Sequence, residues 1–408
     1  MAITASAPFT ISGTEALQHQ GPAWLQSQRK AALEAYKNQP FPTMRDELWR
    51  KTDPERVRPD GLAALKPRSA FEGAVPAGFV FGDIAQHIDA AESVFYAQAK
   101  TDSKNLFINL NGAVWQGGTY LSVAKDSTSG EQALFASHNF DKPGLAATRT
   151  AITVGRHSVA TLVESFDCGD HAVVAAPVSE VVVEEGANFR YIIVNQWGPN
   201  ANVVPIVHAR IGKDANLQVL FVGFGTALTK CFVECDLVGE GSKSEVLGMV
   251  LGQGRQHYDI DIQQNHRVGS TVSDVLVHVA LTDRARSVFA GNILCEPGSQ
   301  KIDGYQQNRN LLLSDTCRAD SMPRLEIEAN DVRCTHGASF STYNDDQLFY
   351  LQSRGMNIAE AEQLLVMGFF QAVSERINLE VIHDWLAPKL QAKMASALQQ
   401  GPASRKAR

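Results

Sequence analysis

The feature that most constrains this chain is a series of evenly spaced polar turns. Gly186-Ala187-Asn188, Asp214-Ala215-Asn216, Gly241-Ser242-Lys243, Gly269-Ser270-Thr271 and Gly298-Ser299-Gln300 recur through its middle, their central residues 28, 27, 28 and 29 positions apart. Each turn is followed by an apolar or alternating run, starting at Phe189, Leu217, Glu245, Val272 and Lys301. A period of this length with strand texture predicts coils of a solenoid, two strands per coil, each coil burying its inward face on its neighbours. A β-sandwich with evenly spaced turns is the alternative reading of the same spacing.

The flanks differ in texture. Residues 14 to 66 read as helical with breaks. Between Pro22 and Gln39, the residues Trp24, Leu25, Ala32, Leu33 and Tyr36 recur at near-helical spacing, and the pattern stops at Pro40-Phe41-Pro42. Residues 67–92 read as a linker with short strands. From 93 to 343, Val, Ile, Thr, Phe and Tyr dominate, and no helical pattern of about 10–15 residues interrupts them. Beyond 344 the sequence turns helical again. Asn344 is placed to cap a helix that closes at Gly355, Asn357 caps a second, and a third runs from Asn378 to Leu398 with a break at Pro388. The segment Gln399–Arg408 reads as a disordered tail. The expected organisation is mainly β: an N-terminal helical region and linker (1–92), a parallel β-solenoid core (93–343) and a C-terminal helical region (344–408).

Composition narrows the function. With 37 Lys and Arg against 44 Asp and Glu, the net charge of −7 leaves no cationic surplus for nucleic acid. No apolar run reaches the roughly 18–20 residues that cross a bilayer, and the opening residues lack the basic pattern of a leader. A cytoplasmic protein without a membrane partner is expected. Six cysteines in 408 residues are too sparse for a disulfide scaffold. No phosphate-binding loop is found, because Gly223-Phe-Gly-Thr-Ala-Leu-Thr-Lys230 lacks the Gly-Lys-Ser/Thr ending. The chain is therefore expected to bind no nucleotide.

Three constellations carry possible chemistry. Cys231 and Cys235 share a strand face but stand ~13 Å apart, too far for one ion, and read as buried hydrophobes; Cys168, Cys295 and Cys317 read as core or loop thiols. Asp259 and Asp261 put two carboxylates on one strand face, an arrangement that suits acid–base work on a polysaccharide, or equally a solvated face. Cys334 and His336 also share a face of an extended segment, with Cα atoms ~7 Å apart. A thiolate and an imidazole at that spacing can meet at one soft or borderline metal. They fill two coordination positions only, so a second chain or small ligands must supply the rest. The competing reading is a satisfied histidine beside a buried thiol.

The run from Tyr305 to Ser339, with Asp346–Gly355, Glu362–Phe370 and the earlier Arg45–Pro54 segment, resembles the SufB/SufD family of iron–sulfur cluster assembly scaffolds. Within it the chain is more similar to the SufD type. Asn308 stands where SufB-type proteins carry a scaffold cysteine, and Thr335-His336-Gly337 stands where they carry Glu-His-Glu. The resemblance implies a right-handed parallel β-helix flanked by helices. It also implies a non-catalytic scaffold that joins SufB through the β-helix end and the ATPase SufC through the helices from Asn344 onward. A homodimer in the absence of SufB is compatible with the same end. It further implies a transient iron–sulfur cluster shared with SufB at His336 and Cys334, and a role in iron acquisition. Reduced flavin is implied at the level of the complex, although no flavin motif occurs in the sequence. A structural adaptor that binds no metal, and a β-helix carbohydrate-active enzyme using Asp259 and Asp261, remain the alternatives.

Overall fold

The computed structural model describes residues 17–94, 105–342 and 344–398. Its centre is a β-solenoid of about eight turns, built from two facing sheets. Successive strands of the second sheet, from Leu134–Asn139 to Val332–Ser341, pair in parallel. Parallel pairing between consecutive coils excludes the antiparallel sandwich. One register line runs Val159, Asn188, Asn216, Lys243, Val272, Asp303, Arg333, in steps of 29, 28, 27, 29, 31 and 30. The coil therefore lengthens towards its end, which the turn spacing alone understated.

The turns stack for a local reason. Asp126, His157, Gly186, Asp214, Gly241, Ser270 and Lys301 all have φ between 54° and 76°. In most of them the backbone N–H donates to a carbonyl of the corresponding turn one coil on, as from Gly186 to Lys213 and from Asp214 to Glu240. Gly, Asp and Asn tolerate this left-handed conformation, which is why the turns could be read from sequence.

Two strands per coil describes the chain from Leu228 onward. Earlier coils carry a third short strand, Gly144–Ala146, Val173–Ala175 or Asn202–Val203. In the latter two, Pro177 and Pro205 follow the short strand and break the ladder, since proline lacks an N–H. Leu228–Leu237 has no proline and runs unbroken past both preceding pieces, pairing with one at Leu228 and Thr229 and with the other from Phe232 to Leu237.

Inside, apolar residues stack in register: Tyr191, Val219, Val246 and Val275 form one column, and all are buried. Each such Val contributes roughly 1.5–3 kcal/mol by leaving water. The interior is polar near both ends: Thr119, His138, Thr150 and Glu164 are buried in the first coils, and Gln264, His266, Gln306, Asn308 and Asn310 in the last.

The two ends differ. At the N-terminal end, Phe79–Asp83 and Arg68–Glu72 add antiparallel to Thr119–Val123 and Leu134–Asn139, and helix Ala23–Asn38 packs nearby against helix Leu106–Val114. That second helix lies inside the stretch read as strand. It is buried on every side, so it shows no amphipathic period. At the C-terminal end no strand among the described residues pairs beyond Arg318–Ile327 or Val332–Ser341.

The C-terminal helices cover the outer face of the second sheet. Asn344 caps Asp345–Ser353, and a capping box at Asn357 and Glu360 opens Ile358–Ser374. Val366, Phe370 and Val373 pack with Leu220, Leu247 and Leu276 of the sheet. The third helix, Glu380–Ala397, continues through Pro388 rather than breaking there. Its buried residues Ile382, Leu386, Leu390 and Met394 recur every fourth position, so contacts on both sides of the proline hold one axis. The tail from Gln399 lies outside the described residues.

Candidate functional site

The open end of the solenoid gathers the chemistry. In the register of the second sheet, Cys334 stands beside Gly304 and His336 beside Gln306. Tracing back, Cys334 heads the inward column Phe189, Leu217, Ser244, Ser273, Gly304, and His336 heads the column Tyr191, Val219, Val246, Val275, Gln306. Both residues thus belong to the face that lines the solenoid, as strand alternation predicted. Because no further coil covers them, Cys334 is half-buried and His336 is exposed.

Their surroundings diverge. Cys334 sits in a small apolar cluster with Ile293, Ile302, Leu325, Ala329 and Val332, its Sγ 3.7 Å from that of Cys295. Gly304 leaves the space for it, since a Cβ there would stand 3.2 Å from the Cys334 sulfur. The hydrogen bond from the Cys295 thiol, helped by the Gly304 N–H, holds the Cys334 thiol below its ordinary pKa despite partial burial. The same contact, with desolvation, pushes Cys295 up. The sequence reads Cys295 as a core or loop thiol. It lies 39 residues from Cys334 and on the other sheet, a proximity that only the coil closure creates. Among the described residues no three His, Cys, Asp or Glu side chains converge as a metal-binding group. Cys334 and His336 accordingly remain a partial donor set.

The other sequence candidates fall elsewhere. Cys231 and Cys235 are buried in the solenoid core, and desolvation raises both thiols, Cys235 to about 12. Cys168 and Cys317 are also buried. Asn308 is enclosed, donating to Val277 O at 3.2 Å and accepting from Asn310 Nδ2 at 2.7 Å.

Asp259 and Asp261 lie on the outer face of the first sheet beneath the N-terminal segment. Asp259 accepts from Lys230 Nζ at 2.9 Å and from the Thr52 hydroxyl, with both charged partners buried. Its carboxylate is therefore committed to an ion pair. Asp261 is also buried, which raises its pKa. It lines a cavity of about 1000 Å³ with Phe41, Trp49, Phe232, Gln263 and Arg324. Glu47 and Arg324 pair across the rim at 2.8 Å.

The model of the SUF system FeS cluster assembly SufBD core domain matches residues 135–369. The chain belongs to the SufBD family. The match runs from the first full coils through the open end to the helix Ile358–Ser374. Among relatives, an iron–sulfur cluster assembly SufBD family protein of Mycobacterium tuberculosis is 31% identical over 223 residues, 53% of this chain and 56% of the relative. That alignment thus spans about half of either protein. One from Mycobacterium leprae is 27% identical over 373 residues, 89% of this chain and 93% of the relative. The iron–sulfur cluster assembly protein SufB of Bacillus subtilis is 25% identical over 312 residues, 74% of this chain and 66% of the relative. Similarity thus extends to a SufB as well as to family members not assigned to either type. None of the helices among the described residues is long and apolar enough to cross a membrane.

Proposed function

We propose that this SufBD-family chain is the SufD-type subunit of a SufB–SufC–SufD complex in the cytoplasm, and that it holds nascent iron–sulfur cargo against SufB. The observation that carries this reading is the position of Cys334 and His336 on the last strand of the solenoid. Val332–Ser341 pairs with Ile302–Leu312 on one side only. An unpaired ten-residue edge with exposed Phe340, beside an equally unpaired Arg318–Ile327 carrying exposed Met322 and Ile327, is a template for another chain. Asn308 supports the SufD assignment: the position offers an enclosed amide rather than a thiolate.

In this reading SufB abuts the edge and supplies the ligands that Cys334 and His336 lack. A second copy of this chain would take the same edge when SufB is absent. The exposed Phe349, Tyr350, Leu364 and Met367 on the C-terminal helices form the contact for SufC, which hydrolyses ATP while this chain acts as a scaffold. Neutral imidazole binds metal less tightly than thiolate and yields to protons, which suits cargo that must leave.

The test is reconstitution of the complex with His336→Ala. Cluster content per complex should fall severalfold while the three chains still co-purify. Undiminished cluster content in an intact complex would leave the chain as a brace without a metal role. That second reading draws on one observation, the packing of Cys334 into an apolar cluster. Under it Cys334→Ser would lower stability and leave iron uptake unchanged.

A further inference from the structure

Cys295 ends the strand Arg286–Cys295 of the first sheet, and Cys334 is the third residue of the last strand of the second. Where the two sheets converge at the open end, their sulfurs come to 3.7 Å. That separation is too long for a disulfide bond, which is about 2.05 Å. It matches the edge of a metal tetrahedron, because two sulfur bonds of about 2.3 Å at the tetrahedral angle place the sulfurs about 3.8 Å apart. The walls are apolar, supplied by Ile293, Ile302 and Leu325. They exclude competing oxygen ligands and hold both side chains in place. Neither sulfur is tied to another cysteine, since all six cysteines are free thiols.

We infer that Cys295 and Cys334 form a two-thiolate clip for a soft or borderline divalent cation, with the remaining coordination positions directed to the open end. The inference rests on the reading of Cys334 as a cargo residue and adds Cys295 as its partner ligand. Loading is a simple exchange: two thiol protons leave, two metal–sulfur bonds form, and no redox partner is involved. The thiols already share one hydrogen bond, so the cation takes the place of the proton between them. The two-residue offset of His336 along the same face leaves the imidazole beside the clip rather than inside the apolar cluster, on the side a partner chain would approach.

The test uses the reduced full-length chain titrated anaerobically with Cd²⁺, reading the ultraviolet sulfur-to-metal charge-transfer band. Wild type should show the amplitude of two thiolates. Cys295→Ser should halve it and weaken binding about tenfold or more. If Cys295→Ser changes neither amplitude nor affinity while Cys334→Ser abolishes binding, the clip is wrong and the cargo reading of Cys334 stands. If Cys334→Ser also changes nothing, both are wrong. Phenylarsine oxide is a second probe that tolerates weakened folding. Its arsenic bridges two thiols with loss of water, so the adduct should map by peptide mass to Cys295 and Cys334 together. Mapping to any other cysteines would overturn the inference.

Discussion

Replacing Asp259 by Asn separates a bracing carboxylate from one that faces a substrate. Lys230 is 1% exposed and Asp259 2%, and the ammonium and carboxylate lie 2.9 Å apart. Thr52 donates to the same carboxylate and contacts His257 Nε2 at 2.8 Å. The change leaves the Lys230 charge buried without its counter-charge, which costs about 3–5 kcal/mol. The N-terminal cover sits directly on this cluster, held by short turns such as Thr52 N–H to Trp49 O at 3.0 Å. Charged to local opening of the cover, that cost corresponds to exchange faster by about two to three and a half decades, at about 1.4 kcal/mol per decade. Hydrogen–deuterium exchange read by mass spectrometry on the peptide spanning residues 44–58 measures it. Adding Lys230→Met should recover much of the protection, because the double variant buries no lone charge. Exchange in Asp259→Asn within about threefold of wild type would refute the bracing role and reopen this carboxylate to the carbohydrate-enzyme reading.

Burial holds His257, His266 and His278 neutral, each with its pKa lowered to about 4. The unfolded imidazoles titrate near ~6.5, so this stabilisation is complete above that pH and is lost as pH falls towards 4, up to roughly 3 kcal/mol per group. Melting temperature should therefore drop across that window, less steeply in His266→Gln, and a flat profile would count against it. Gly304→Ala places a methyl 3.2 Å from the Cys334 sulfur and 3.1 Å from Ile293 Cδ1. It should cost about 1–3 kcal/mol and displace the thiol, seen as faster alkylation of Cys334; unchanged reactivity and stability would argue against a snug thiol. Phe340→Glu at the exposed end should abolish capture of SufB with stability held within about 0.5 kcal/mol, and retained capture would move the contact elsewhere.

How much the sequence disclosed depended on which contacts are local. The coil period was legible because each turn demands a residue that accepts positive φ, and Gly186, Asp214 and Gly241 advertise it. Helix ends at Asn344 and Asn357 were legible because a cap is settled within three residues. The helix Leu106–Val114 was not, since burial on all sides erases the polar face that marks a helix. In the helix Asp345–Ser353, Leu348 is buried while the adjacent Phe349 and Tyr350 are exposed. Apolar composition reports a surface that avoids water, and does not say whether this chain or another covers it. Cys334 and His336 were found because their relation is set by strand alternation. Cys295 was missed because its relation to Cys334 is set by closure of a coil, which leaves no spacing rule in the sequence.

That closure also explains why the site belongs at this end. A solenoid interior is a set of columns, and each column terminates where the coils stop. At the N-terminal end the antiparallel strands Arg68–Glu72 and Phe79–Asp83 extend the two sheets, and Phe71 and Phe81 on them pack against the apolar interior. At the other end the columns surface: Gln306 and Asn308 lie just inside, and the final residues of the last strand are Cys334, His336, Ala338 and Phe340. Buried amides such as the Gln306 side chain, which donates to Arg324 O at 2.9 Å, tolerate a nearby charge in a way a column of valines would not. The gradient from Val275 through Gln306 to His336 thus prepares a dry wall, a polar floor and an exposed ligand in three successive coils. The first coils are polar inside as well, but there the Glu164 carboxylate is fully engaged by His138, Thr119, Thr150 and Tyr191. What distinguishes the open end is that one of its polar columns finishes in an exposed imidazole beside a half-buried thiol, two donors that a further ligand can reach.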